Sequence, residues 1–187
     1  AGHRDPRIVC VQHPERCSTA QAYNTDISAA RGDLVGFISS SETYDERKLE
    51  EQAACFSFLA PEYGVVYCDS WEITPAGNRA YRHSPEMDDG ELLNAYATDF
   101  QAAGLATGLI LVRRSVLEKA GPFDERLGCF SAMDMIIRLQ RLCRFHHIGK
   151  PLCYRRYLPG SPDIAVEKSI ARLLLLLSFL FLAANLH

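Results

Sequence analysis

The chain has 187 residues, of which 48% are hydrophobic, and a formal net charge of −3. That length can bury one good core, and the slight acidity gives no reason to expect a nucleic-acid partner. The seven cysteines are an odd number without a C-x-x-C pair, which favours free thiols in a reducing compartment over a disulfide framework or a zinc site.

The first part of the chain predicts a strand, a loop and a helix. Residues 7–12 (RIVCVQ) form the first candidate strand, and Pro14 places a loop directly after it. Residues 18–31 predict a helix with small and apolar contacts. Gly32 is its expected C-cap.

Residues 33–38 are a short apolar run that predicts a buried strand, and the serines that follow interrupt it. Residues 45–59 then predict a helix. The residues expected on its core face are Leu49, Ala53, Phe56 and Leu59. Ligands of open α/β sheets bind where a strand hands over to a helix, so the loop 39–42, with three hydroxyls and one carboxylate, is the expected site.

Farther along, strands and helices alternate. The predicted strands are residues 63–73, 79–82, 108–114, 145–148 and 151–157. The predicted helices are residues 91–100, 131–143 and 166–186, together with a short helix after the capping box that begins at Ser115. Gly121 closes that short helix, and Ser131 with Asp134 forms a second, looser capping box. The alternation predicts an α/β fold with a mixed or parallel sheet flanked by helices.

The most apolar stretch, residues 173–184 (LLLLLSFLFLAA), is shorter than the ~20 residues that span a bilayer. We expect residues 166–187 to form an apolar packing helix behind a domain of residues 1–165, with membrane proximity as the second interpretation. The chain begins without methionine or a signal segment, which suggests a piece of a longer protein or a trimmed chain. The expected location is cytoplasmic, with the inner face of a membrane as the alternative.

Five stretches stand in a recognisable order: AYNTDI with ARGD (22–33), FISSSETYDERKL with Gln52 (37–52), GVVYCD (64–69), GPFDE with Asp134 and Arg138 (121–138), and PLCYR to GS (151–161). Together they resemble the larger, C-terminal part of a family 2 glycosyltransferase domain. The resemblance implies a GT-A-like mixed sheet flanked by helices. By the same resemblance, the N-terminal portion that binds the nucleotide base in that family is expected to be missing ahead of Ala1.

In that family a nucleotide-sugar donor places its diphosphate on Mg²⁺ or Mn²⁺, which the D-x-D aspartates hold, and a further aspartate deprotonates a glycan or lipid acceptor. Such a cation prefers charged oxygen ligands, and a general base needs an ionisable group. Here the D-x-D positions fall on Ser39 and Ser41, the third acid is Glu42, and the base position is Ala132. The histidine of the closing motif falls on Tyr157 or Leu158.

The resemblance implies a set of candidate site residues, and each of them also has a purely structural explanation. The candidates for donor binding are Asn24, Ser39, Ser41, Glu42, Asp69 and Arg155, with Glu42 as the metal ligand and Asp134 as a catalytic acid beside the degenerate base position Ala132. The alternatives are an exposed loop or helix-start acid for Glu42, the capping-box position for Asp134, a polar strand end for Asp69 and helix packing for Asn24. For Arg138 the alternative is a helix-face ion pair with Asp134, and for the arginine pairs 113–114 and 155–156 it is solvated loop charge. Trp71 is expected to pack, with a sugar platform as its other role.

Two functions remain open. The first is a glycosyltransferase-like domain of polysaccharide biosynthesis that is weak or inactive, because a serine hydroxyl is a weak ligand for Mg²⁺ and Ala132 takes no proton. We therefore expect Mg²⁺ or Mn²⁺ to be held poorly. The second is a non-catalytic binding or assembly module, a pseudoenzyme that keeps the fold.

Overall fold

A computed structural model describes residues 5–84 and 106–156. Its strands are β1 Leu34–Gly36, β2 Glu42–Tyr44, β3 Tyr63–Ile73, β4 Arg79–Arg82, β5 Ile110–Arg113 and β6 Arg144–Arg156. Its helices are α1 Thr19–Ala29, α2 Lys48–Cys55, α3 Arg114–Ala120 and α4 Ser131–Gln140, with 3₁₀ turns at Thr107–Leu109 and Glu125–Phe130.

The strands form one mixed sheet of six strands in the order β1-β5-β3-β6-β2, with β4 added to β3. The β3–β6 pair is parallel, and the other pairs are antiparallel. Strand β3 is central and pairs with β4, β5 and β6. Its apolar first half is buried, and its more polar second half extends to the end of the sheet. The predicted mixed α/β sheet is confirmed, and β3 and β4 have the predicted bounds.

The main core lies where β3 and β5 meet α1, α3 and α4. Val65, Ile110 and Ile136 are fully buried there. The rings of Tyr23, Phe37 and Phe123 form a contiguous cluster with centroids 5.0–5.5 Å apart. Tilted and edge-on ring pairs add stabilisation beyond the area they bury, so this cluster fixes α1 and the loop after α3 against the end of β1.

Helix α2 buries a polar face, and the prediction that Leu49 faces the core is wrong. Leu49 is 51% exposed, whereas Lys48 and Gln52 are fully buried. The Gln52 amide donates to the carbonyl oxygens of Val66 (3.1 Å) and Leu109 (2.9 Å), and Lys48 Nζ donates to Gln52 Oε1 (2.7 Å). The polar face is tolerated because its groups satisfy one another and two buried carbonyls. Burial lowers the pKa of Lys48.

Two further local predictions are wrong. Residues 7–12 form no strand: Ile8 and Val9 are 57% and 68% exposed, and no strand of the described residues pairs with them. A strand needs a neighbour for its backbone groups, and an apolar pattern does not supply one. Neither Ser115 nor Ser131 caps a helix, because α3 begins directly after β5 and α4 directly after a 3₁₀ turn. Ser18 does cap α1, accepting from the Gln21 N–H (3.1 Å).

Gly64 offers a first test of the packing on β3. A Cβ at this position would lie 2.5 Å from Cys143 Sγ and 2.8 Å from Val116 Cγ2. Because neither neighbour is the end of a long flexible chain, we expect Gly64→Ala to destabilise the protein by about 1–3 kcal/mol in urea unfolding. Gly149→Ala is the matched control, since nothing lies within 4 Å of its new methyl group. Equal stability of the two variants would contradict the packing described.

Several predictions lie outside the described residues. These are the helices 91–100 and 166–186, the end of the closing motif with Tyr157 and Leu158, and the boundary at 165. Among the residues that the structure does describe, no helix is long and apolar enough to cross a membrane. All seven cysteines are free thiols.

Candidate functional site

The serine loop between β1 and β2 is closed by its own hydrogen bonds. The hydroxyls of Ser39 and Ser41 are 3.0 Å apart and bonded to each other, and Glu42 Oε2 accepts from the Ser39 N–H (2.9 Å). Glu42 is the first residue of β2 rather than an exposed loop or helix-start acid, so that structural alternative is wrong. The three side chains that the resemblance assigns to the donor and metal site are therefore brought together.

The Glu42 carboxylate is almost fully enclosed. Its side chain is 6% exposed, and its Oε1 lies 3.5 Å from Arg155 Nε. It packs directly on the backbone of Gly108, where a Cβ would overlap the carboxylate. Gly108 was missed as a site residue, because a glycine before an apolar strand carries no sign of the distant side chain that rests on it.

Arg155 belongs to a row of alternating charges that crosses the sheet. In register, Arg155 of β6 stands between Glu42 of β2 and Glu72 of β3. Its Nη1 lies 3.9 Å from Glu72 Oε1, and Glu72 in turn lies 3.4 Å from Arg82 Nε. We call Glu42, Arg155, Glu72 and Arg82 the charged row. Arg155 is 14% exposed, so the interpretation of this arginine as solvated loop charge is wrong.

The other predicted arginine pair is also engaged. Arg113 Nε donates to the Tyr63 carbonyl oxygen (2.9 Å), and its guanidinium lies over the Phe56 ring at 4.5 Å. Arg114 Nε donates to the Gly32 carbonyl oxygen (2.7 Å). These contacts connect the β5–α3 junction to neighbouring loops. The two arginines therefore have a structural role, and their interpretation as solvated loop charge is wrong.

The loop does not fit a divalent cation of the D-x-D type. Mg²⁺ and Mn²⁺ prefer several charged oxygen ligands. Here two neutral hydroxyls are bonded to each other, and the one carboxylate is already bound by a backbone N–H and a guanidinium. In residues 5–84 and 106–156, no group of three His, Cys, Asp or Glu side chains could hold a metal ion.

Asp69 lies within β3 rather than at its end and forms a second polar centre. Its carboxylate is fully buried and accepts from the Tyr81 hydroxyl (2.6 Å) and the Ser84 N–H (2.7 Å). It also contacts His147 Nε2 (2.7 Å). Burial alone would raise the pKa of Asp69, but the hydrogen bonds from Tyr81, Ser84 and His147 outweigh it and lower the pKa.

His147 is held on two sides. It contacts Asp69 through Nε2 and stacks on Tyr67, with ring centroids 4.8 Å apart and an angle of 17° between the planes. Its neighbour His146 instead lies edge-on to Phe58 and Tyr63. The two histidines therefore face different neighbours. Through Tyr81 and His147, Asp69 joins β3 to β4 and β6.

Asn24 uses both ends of its amide within the protein. Its Oδ1 accepts from the Phe123 N–H (2.8 Å), and its Nδ2 donates to the Phe123 carbonyl oxygen (3.0 Å) and to Glu125 Oε1 (3.2 Å). These bonds attach α1 to the loop after α3. The packing alternative therefore describes the contacts of Asn24, and donor binding by this residue stays a prediction.

Asp134 is engaged in the same region. Its Oδ2 accepts from Arg138 Nε (2.8 Å), and the Arg138 guanidinium also donates to the carbonyl oxygens of Ala120 and Pro122. The ion pair expected as the alternative is present and ties α4 to the end of α3. Ala132, to which the resemblance assigns the base position, is the second residue of α4 and has only a methyl side chain.

Taken together, the described residues have the GT-A fold. The chain is also similar in sequence to a protein of O-antigen biosynthesis. Over 159 residues it is 28% identical to the O-antigen biosynthesis protein RfbC of Myxococcus xanthus. This match covers 83% of the chain but only 12% of the relative's length. No model of a known protein family matches the sequence.

Two solved structures show the same fold at low identity. Glucosyl-3-phosphoglycerate synthase from Mycobacterium tuberculosis, in complex with Mn²⁺ and UDP-glucose, aligns with a TM-score of 0.51 and 14% identity, covering 87% of this chain and 55% of that one. A mycobacterial protein aligns with a TM-score of 0.51 and 15% identity, covering 80% and 48%. The chain thus spans about half of each of these structures.

Proposed function

We propose that this chain is a glycosyltransferase-like domain of family 2 ancestry that acts in polysaccharide biosynthesis as a binding module, without metal-dependent sugar transfer at its serine loop. One observation carries the proposal. The only carboxylate in the loop, that of Glu42, is enclosed between the Ser39 N–H, Arg155 and Gly108. A cation at this point would have to displace a guanidinium and would gain one charged ligand.

The surroundings of the other acids support the same conclusion. An acceptor hydroxyl needs a free proton acceptor within hydrogen-bond reach. Ala132 offers none, Asp134 is paired with Arg138, and the Asp69 carboxylate has three hydrogen-bond partners. A weak enzyme that uses Glu42, Asp69 and Asp134 is the alternative, and the shared fold favours it.

The proposed ligands are inferred from the proteins that the chain is similar to. One structural neighbour is a complex with Mn²⁺ and UDP-glucose, and the curated relative is an O-antigen biosynthesis protein. We therefore propose a nucleotide-sugar as the donor-type ligand and a glycan or lipid as the acceptor-type ligand. The proposed location is the cytoplasm, with the inner face of a membrane as the alternative. These assignments rest on the resemblance and the relatives.

Calorimetric titration of the full chain with UDP-glucose and GDP-mannose tests the proposal. We expect added Mn²⁺ to leave the affinity for either donor unchanged, because the loop holds no suitable ligand set. Glu42→Gln should be equally insensitive to Mn²⁺, and circular dichroism should verify that it is folded. Mn²⁺-dependent hydrolysis of a donor that disappears in Glu42→Ala would establish the enzyme alternative instead.

A further inference from the structure

The strands of the charged row carry a second row of side chains on their other face. Tyr154 of β6 pairs with Thr43 of β2 and with Trp71 of β3, and Trp71 pairs with Tyr81 of β4. Successive side chains of a strand point to opposite faces. Tyr154, Trp71 and Tyr81, which we call the aromatic row, therefore lie opposite the charged row.

The aromatic row is ordered and accessible. The rings of Trp71 and Tyr81 meet edge to face at 5.3 Å, and the hydroxyl of Tyr81 is bound to Asp69. Tyr81 is 37% exposed, and Trp71 and Tyr154 are half-buried. Because the Asp69 bond fixes the Tyr81 ring, a ligand would lose little side-chain freedom when it settles on the row.

Polar groups border the rings. The guanidinium of Arg79 lies 5.8 Å from the Tyr154 ring centre, and the exposed His83 meets Tyr81 at 4.5 Å. Neighbouring strands lie ~4.8 Å apart, so the row presents aromatic surface in regular steps across β6, β3 and β4. Exposed ring surface edged by hydrogen-bond donors suits a ligand with apolar faces and a rim of hydroxyls.

We propose that the aromatic row is a binding surface for an extended glycan chain, whose sugar rings pack on Trp71 and Tyr154 while Arg79 and His83 donate to their hydroxyls. The choice of a glycan rests in part on the proposed function; the position of the surface does not. Several rings side by side across the sheet favour a polymer over a single sugar, because one monosaccharide covers only one ring. Donor groups at the rim favour a hydroxyl-rich ligand over an apolar protein segment.

Trp71 is the only tryptophan of the chain, so its fluorescence reports on this surface alone. The probes are lipid-free O-polysaccharide from Myxococcus xanthus and dextran, titrated into the full chain. We expect at least one of them to shift the Trp71 emission in a saturable way. Tyr154→Ala and Arg79→Ala should each weaken the affinity about three- to tenfold, and Phe58→Ala, at an exposed ring elsewhere, should leave it unchanged.

Affinity electrophoresis in gels that contain the same polysaccharides supplies a second readout, in which Trp71→Phe should also bind more weakly than the parent chain. No emission shift and no retardation with either polysaccharide would overturn the proposal, as would binding that Tyr154→Ala and Arg79→Ala leave intact in folded protein. A shift caused instead by an apolar peptide would assign the surface to a protein partner. Because no nucleotide donor is present, failure here is distinguishable from failure of the metal titration.

Discussion

Replacing Asp69 with alanine is expected to destabilise the protein by about 3–5 kcal/mol, the effect of removing one member of a buried polar network. The carboxylate is fully buried, and its loss would leave the Tyr81 hydroxyl, the Ser84 N–H and His147 without their acceptor. Urea unfolding followed by circular dichroism measures the change. Glu51→Ala, which removes the acid from a pair with the exposed Lys150, should cost at most about 1 kcal/mol.

The pH dependence provides an independent check on Asp69. Its pKa in the folded protein is lowered, so its contribution to stability is complete above the ordinary pKa of an unfolded aspartate, about 3.9, and is lost as the pH falls through the folded value. We expect Asp69→Asn to remove this part of the acid sensitivity. If the parent and Asp69→Asn lose stability in parallel between about pH 5 and pH 2, Asp69 is not the hub described.

A loss of about 2–5 kcal/mol is expected for Gln52→Ala, because the change removes a hydrogen-bond partner from three buried groups at once. Lys48 Nζ loses its acceptor, the Val66 carbonyl oxygen loses the Gln52 donor, and the Leu109 carbonyl oxygen keeps only the weaker Cys68 Sγ donor (3.5 Å). The face of the Tyr44 ring, 4.0 Å from Nζ, remains as a weaker partner for the ammonium. Equilibrium unfolding again supplies the measurement.

A double-mutant cycle separates the energetic effect of the unpaired Lys48 ammonium from that of the two carbonyl hydrogen bonds. Adding Lys48→Met to Gln52→Ala removes the stranded ammonium, so the double variant should be more stable than Gln52→Ala alone. Lys48→Met in the parent should cost less than Gln52→Ala, since it leaves the two carbonyl bonds in place. Strict additivity of the two changes would show that the buried pair does not act as a unit.

The sequence predicts best where one local signal decides the outcome. β3 is an apolar run closed by turn residues, β4 returns from that turn, and both have the expected bounds. Helix α2 shows the opposite case. Its apolar residues predict that one face of the helix is buried, but a different face is buried in the structure. That face carries Gln52, which donates to the buried carbonyl oxygens of Val66 and Leu109.

The candidate site divides in the same way. The motif spacing places Ser39, Ser41 and Glu42 together, and the structure has them bonded to one another. The groups that enclose this loop come from far along the chain: Gly108 from a 3₁₀ turn and Arg155 from β6. Only the tertiary fold brings them to Glu42. No local pattern carries that information, which is why the enclosed state of the carboxylate was not predicted.

The parallel pairing of β3 and β6 is interrupted by a bulge: Cys68 pairs with Ile148, whereas Ser70 pairs with Cys153. The length of this bulge decides which neighbour each later β6 side chain meets. Deleting one of residues 149–151 would move the rest of the strand by one position. Tyr154 would then pair with Ser70, on the face of the charged row, and Arg155 would pair with Trp71. The charged row and the aromatic row would be lost together. The number of residues in this bulge therefore matters more to the domain than which residues they are.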